Sequence, residues 1–220
     1  MAIGRVVAPE ILDGLPADDP RARRARRDLR TINAFMGNHF WVKHALRRAM
    51  RKYERPDTAG GPRFLEIGAG DGRLCRKVSS WFPGATVTGF DLSSRPPRLP
   101  GSIFWKQGNL FEHLPNSVGE VLLGVMILHH FPTETLMELG RMLSKCRVLC
   151  FCEPWRVRFA HFLGLLMRPW CGEVTRHDLP VSIDAGFVSG ELRRLLGLER
   201  WHVEESVDWR GSLRLLAWRG

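Results

Sequence analysis

No stretch of this 220-residue sequence supplies the roughly 18–20 consecutive apolar residues that a helix needs to span a bilayer. The longest apolar run, Phe159 to Met167, reaches about half that length and contains His161. The first twenty residues lack the basic start and apolar core of a secretory signal, so a soluble, cytoplasmic protein is expected. Cysteine is sparse. Cys75, Cys146, Cys150, Cys152 and Cys171 form no C-x2-C pair and no Cys/His zinc pattern, so they are expected to be reduced and structural, and no metal is expected. Internal repeats and low-complexity tracts are missing as well. Lysine is scarce too: of 33 basic residues only 5 are Lys, an arginine excess that reflects composition bias as much as phosphate binding.

What is present is a globular composition, 44% apolar and 25% charged, sized for one domain with a small appendage. The net charge of +10 is concentrated. Arg21 to Arg55 holds 12 basic and 2 acidic residues, and the rest of the chain is neutral. Such a segment is either the solvated face of a helix or a surface for an anionic partner, such as nucleic acid, a lipid headgroup or an acidic substrate.

Asp19-Pro20 reads as a helix start, and Ala22, Ala25, Leu29, Ile32 and Met36 recur behind it at helical spacing. Gly37-Asn38 interrupts the pattern, with Asn38 placed to cap a second helix running to about Tyr53. A linker, Arg55 to Pro62, follows. Residues 1–60 are therefore expected to form a helical cap outside a second unit, 61–220. In that unit strands at 63–67, 85–90, 103–106, 118–126 and 147–152 alternate with helices at 72–81 and 133–144. Alternation of this kind predicts an α/β fold with a parallel sheet. The connections 92–102 and 109–119 carry prolines and support no long helix. A helix at 189–196 and a hairpin of strands at 200–207 and 212–218 close the chain.

The sequence Glu66-Ile67-Gly68-Ala69-Gly70-Asp71-Gly72 lies where the first strand turns into the first helix, the place where glycines let a backbone approach a ligand. It is not a phosphate-binding P-loop, which ends in Gly-Lys-Ser/Thr; here Gly72-Arg73-Leu74 follows. Nor is it G-x-G-x-x-G, because Arg73 occupies the third glycine position. Asp91 ends the second strand 21 residues beyond Gly70, where a carboxylate can accept from both hydroxyls of a ribose.

Taken in order, FLEIGAGDG (64–72), GFDLS (89–93), QGNLFE (107–112), VMILHHF (125–131) and the closing hairpin resemble the class I S-adenosylmethionine-dependent methyltransferases. The resemblance implies a Rossmann-like, seven-stranded, mostly parallel sheet with an antiparallel C-terminal strand inserted near its edge. It implies S-adenosylmethionine as cofactor, with Glu66, Gly68, Ala69 and Gly70 along its methionine portion and Asp91 on the ribose. Leu92 would then pack on the adenine, Asn109 and Leu110 would lie at its edge, and Met126 would line the site. Asn stands where the family more often has Asp.

For the acceptor, the residues after the fourth and fifth strands are Met126, His129, His130, Phe131, Glu153 and Arg156. His130 is the expected general base and Glu153 a second catalytic group; His129-His130 also reads as a plain strand end. No Asn/Asp-Pro-Pro-Tyr/Phe motif follows the fourth strand, which argues against amino-methylation of nucleic-acid bases. Residues 155–187 form a long insertion rich in Phe, Leu, Met and Trp, read either as a lid over the acceptor or as ordinary packing. The expected partner is a small hydrophobic molecule methylated on O or C. An RNA acceptor, an anionic membrane surface beside the basic helices, and a cofactor-binding protein without catalysis are the alternatives.

Overall fold

The computed structural model describes residues 4–16, 18–52, 61–114 and 119–219. Five parallel strands, β1 (Arg63–Ile67), β2 (Thr86–Asp91), β3 (Ile103–Gln107), β4 (Val121–Val125) and β5 (Val148–Pro154), are followed by an antiparallel hairpin, β6 (His202–Asp208) and β7 (Ser212–Trp218). The sheet order is β3-β2-β1-β4-β5-β7-β6, so β7 runs against both β5 and β6 and sits one strand in from the edge. Tyr53 and the residues to Gly60, and Pro115 to Val118, fall outside the described residues, as do most of the expected linker and the start of the expected fourth strand.

The two-residue period of the strands decides which helix each residue meets. Phe64, Val87, Leu123, Cys150 and Leu216 face α2 (Asn38–Lys52) and α3 (Arg73–Trp81). Leu65, Leu122, Leu149, Phe151 and Leu215 face α5 (Thr133–Met142) and α8 (Glu191–Leu195). β5 is buried along its whole length, as a strand covered on both faces must be.

The expected two-helix cap divides differently. Val42, Ala45, Leu46 and Ala49 of α2 are fully buried in one core with the sheet, so this helix covers the sheet rather than lying outside it. Asn38 is not a cap either. Its carboxamide is buried, donating to Asn33 Oδ1 at 2.9 Å and accepting from the Ser212 hydroxyl at 2.8 Å, which fixes α2 to β7. Only α1 (Pro20–Met36), started by the Asp19 carboxylate accepting from Arg21 N at 2.7 Å, stands over the strand ends.

The thin connection after β2 holds its shape without a helix. Arg95 donates to the carbonyls of Ile103, Leu99 and Pro100, and the Trp105 indole donates to Ser93 O. After β3 a single turn, α4 (Leu110–His113), is capped by Asn109. The insertion 155–187 folds as α6 (Arg158–Met167) and α7 (Glu173–Ala185). Trp155 and Phe187 pair as an isolated bridge, so the excursion leaves and rejoins the sheet at one point. Both helices pack on α1 through Ile32, Met36, Met167, Cys171 and Leu179.

Candidate active site

The C-terminal ends of β1, β2 and β4 open into a crevice with two lobes that meet at Gly68. One, of about 830 Å³, is lined by Glu66, Gly68, Ala69, Gly70 and Met126 on the sheet side and by Arg26, Leu29, Arg30 and Asn33 of α1 opposite. The other, of about 530 Å³, is lined by Asp91, Leu92, Asn109, Leu110, His130 and Phe131. Every residue expected to hold the cofactor therefore borders one cavity or the other, as do Met126, His130 and Phe131, whereas His129, Glu153 and Arg156 border neither.

Gly68 and Gly70 take φ values of +63° and +53°, which residues with a side chain rarely adopt. A Cβ on Gly68 would also stand 2.6 Å from Ile127 Cδ1. The Gly70 amide, turned outward by this conformation, donates to Asp91 Oδ2 at 2.7 Å. Asp91 Oδ1 accepts from Ser93 N at 2.8 Å. Leu92 beside it is 77% exposed. Asn109 Oδ1 accepts from Phe111 N at 3.1 Å, so part of its acceptor capacity is already spent on starting α4.

Glu66 is the anomalous group. Its carboxyl is buried beside the crevice, and Oε2 has no hydrogen-bond partner. Burial pushes it up to about 8, against hydrogen bonding from Cys75, and the nearby Asp71 and Asp91 carboxylates add to the rise. The opposite wall is basic. Arg30 approaches Asp71 at 4.0 Å, and Lys77 Nζ lies 3.1 Å from His39 Nδ1. Burial first, then Lys77 and Arg73, hold His39 down to about 4, so it stays neutral.

Met126, just past β4, has φ +58° and is the one non-glycine at positive φ among the described residues. Strain of this kind persists where surrounding structure enforces it. Here the Met126 amide donates to Cys152 O at 2.8 Å, and the residue borders the crevice while packing against Ile32 and Met36 of α1.

Glu153 is not in the crevice. Its carboxylate is fully buried and accepts from the backbone amides of Ile127, Leu128 and His129, at 3.1, 2.9 and 3.2 Å, and pairs with His129 Nδ1 at 2.8 Å. It anchors the loop after β4 from beneath and contacts neither cavity, which corrects its expected catalytic role. Arg156 is likewise buried, paired with Glu191 Oε2 at 3.0 Å.

Several residues that complete the crevice were not anticipated. The N-terminal segment crosses the loop after β4. Arg5 donates to the carbonyls of Ala185, His129 and Phe131, while Asp178 of α7 accepts from the amides of Ile11 and Leu12. Glu10 accepts from the Ser182 hydroxyl and stands 3.6 Å from His129 Nε2. Asp13 Oδ2 lies 3.3 Å from His130 Nδ1. Burial works to lower the His129 pKa but is outweighed by Glu10 and Glu153, which raise it to about 9. The ligand-type atoms of Glu10, His129 and His130 lie within 4.8 Å of one another, His129 being paired with Glu10 and its ring lying 4.2 Å from that of His130.

No family model and no curated protein matches the sequence. Solved structures do match the fold. A plantazolicin methyltransferase in complex with SAH superposes with a TM-score of 0.67 over 92% of each chain, at 13% identity. Human N-acetylserotonin methyltransferase, in complex with SAM, gives 0.59 over 94% of this chain and 61% of its own, at 16% identity. An O-methyltransferase family protein from Burkholderia thailandensis gives 0.55 over 91% and 63%, at 17% identity. The chain has the class I methyltransferase fold.

Proposed function

We propose that this protein transfers a methyl group from S-adenosylmethionine to a small, hydrophobic acceptor at an oxygen or carbon atom. The observation that carries the reading is the pairing of an unpartnered, buried Glu66 Oε2 with an Asp91 carboxylate tied to the same glycine loop. A buried carboxylate left without a donor is costly unless a ligand supplies one, and an ammonium group does so. The residues present therefore fit the cofactor. Glu66 would take its amine, and the basic wall of Arg30 and Lys77 suits its carboxylate. The backbone of Gly68, Ala69 and Gly70 would follow the methionine chain, and Met126 would stand over it. Asp91 would hold the ribose, Leu92 would cover the adenine, and Asn109 and Leu110 would border its edge.

When bound, the cofactor supplies an electrophilic methyl on a sulfonium. This chain's own residues do the rest. Leu12, Leu29, Phe40, Phe111 and Phe131 give the crevice apolar walls that suit a hydrophobic acceptor and exclude water. His130 borders the second lobe with Nδ1 turned to Asp13, an arrangement that steadies the ring and leaves Nε2 to receive a proton from an acceptor hydroxyl. Glu153, through His129 and three amides, holds the loop that carries His130.

Proteins named for methylating plantazolicin and N-acetylserotonin share the fold, which supports methyl transfer as the activity. The test supplies the purified protein with cofactor and a cell extract, and mass spectrometry seeks metabolites heavier by one methylene. Absence of cofactor binding by calorimetry would overturn the reading.

A further inference from the structure

Helix α6 buries Ala160 and turns Leu163, Gly164 and Met167 toward a narrow apolar cleft shared with Ile32 and Met36 of α1 and Ile183 of α7. Its other face has no such cover. Phe159, Phe162, Leu166 and Trp170 recur at intervals of 3, 4 and 4, one stripe of a helix continued by its last turn. All four are exposed, Trp170 to 75%. Phe35 of α1 and Trp209 of the β6–β7 turn are also exposed and meet edge to face at 6.1 Å.

Cations surround these apolar groups. Arg24 of α1 donates to Trp170 O at 2.7 Å, which brings the N-terminal half of α1 alongside the end of the stripe. Arg23 and Arg27, one turn apart and exposed, make no ion pair among the described residues, nor do Arg158 and Arg168 at the two ends of α6. The nearby carboxylates are already engaged: Asp28 by Arg24, Glu173 by Arg21, Asp184 by His161 and Asp208 by Arg210.

We propose that the exposed stripe of α6 and the arginine face of α1 together dock on the surface of an anionic lipid membrane. An apolar helix face with Trp and Phe settles at the boundary between headgroups and acyl chains, and flanking arginines meet the lipid phosphates. Among the described residues no helix is long and apolar enough to cross the membrane, so the contact is peripheral. Resting on the methyltransferase reading, docking also defines the acceptor class as a membrane-resident amphiphile. The narrow cleft beneath α6 ends at Met126, which lines the cofactor lobe as well, so the docking face lies next to the proposed site.

The intact protein is sedimented with vesicles of phosphatidylcholine alone and of phosphatidylcholine mixed with phosphatidylglycerol. Binding to the anionic vesicles is expected, with a blue shift of tryptophan emission and a steep loss as salt rises. Phe162→Ser with Leu166→Ser, and separately Arg23→Glu with Arg27→Glu, should each weaken binding about tenfold or more. Melting temperature and cofactor affinity, measured in parallel, should stay at wild-type values because these side chains lie outside the core. No binding to anionic vesicles, or equal binding by the variants, overturns the proposal. So does a dimer that the serine variants abolish, or RNA binding without vesicle binding. Vesicle binding by a protein that takes up no cofactor would leave docking standing and remove the methyltransferase reading instead.

Discussion

Asp91 Oδ2 and the Gly70 amide are 2.7 Å apart, and this hydrogen bond, beside that from Ala69 N to Phe90 O, joins the tip of β2 to the loop after β1. Neither group would do this alone. The amide is presented because Gly70 is at positive φ, and the carboxylate reaches it because Asp91 ends its strand opposite the loop. The two parts of a nucleoside-sized crevice are therefore set in register before any ligand arrives.

Asp91→Ala removes both the Gly70 and Ser93 hydrogen bonds and the proposed ribose acceptor. Cofactor affinity should fall about tenfold to a hundredfold, since hydrogen bonds to charged groups contribute about 1.5–3 kcal/mol each. Calorimetry measures this, with circular dichroism to confirm that the fold persists. Wild-type affinity would remove Asp91 from the site.

Glu66 carries the next prediction. Its carboxyl, held up to about 8, is mostly neutral at pH 7, whereas an ammonium ligand favours the ionised form. Cofactor affinity should therefore rise as pH approaches 8, with proton release on binding at pH 7 visible as a buffer-dependent heat. In Glu66→Gln this component should vanish. The same shift has a cost for folding. A carboxyl raised in the folded state favours folding less as pH climbs from its unfolded value of 4.5 through about 8, so Glu66→Gln should melt higher than wild type at pH 8.

His129 runs in the same direction with pH, over a higher range. Its stabilising charge is fully present below the ordinary histidine value of 6.5 and is lost as pH rises through about 9. The groups facing it are Glu10, Glu153 and His130, with Asp13 on the far side of His130 and Arg5 on its carbonyl. Amide exchange at residues 5–13 should accelerate above pH 9 beyond the intrinsic rate. Glu10→Gln should bring that onset to lower pH and cost about 1–3 kcal/mol in denaturant unfolding. An exchange profile identical in both proteins would show that the pair does not fasten the segment.

His130→Ala should lower kcat about a hundredfold to ten-thousandfold, the range for losing a general base. Cofactor affinity should change little. Full activity with a hydroxyl acceptor would return His130 to a role in packing.

The glycine loop, the acid closing β2 and the final hairpin were legible in the sequence because each signal is local. Gly68, Gly70, Asp91 and the β6–β7 turn declare themselves within a few residues. The placement of α2 was also there to be read, since Val42, Ala45, Leu46 and Ala49 mark one helical face, but the arginine run drew attention to the opposite face. Glu153 misled because an acid ending a strand resembles a reactive group, and nothing local reveals the three amides that bury it. Arg5, Glu10, Asp13 and Asp178 left no signal at all. Their partners lie far along the chain: Arg5, Glu10 and Asp13 stand in a segment with no long element to give them a period, and Asp178 reads as one more polar residue of α7.

The crossing of the N-terminal segment over the loop after β4 also sets the order in which the fold can be put together. Arg5 must find the carbonyls of His129, Phe131 and Ala185, so synthesis has to pass residue 185 before the segment can be fastened in place. A shortened translation product retaining the glycine loop would keep the most recognisable stretch of the sequence and still leave Arg5 without the Ala185 carbonyl.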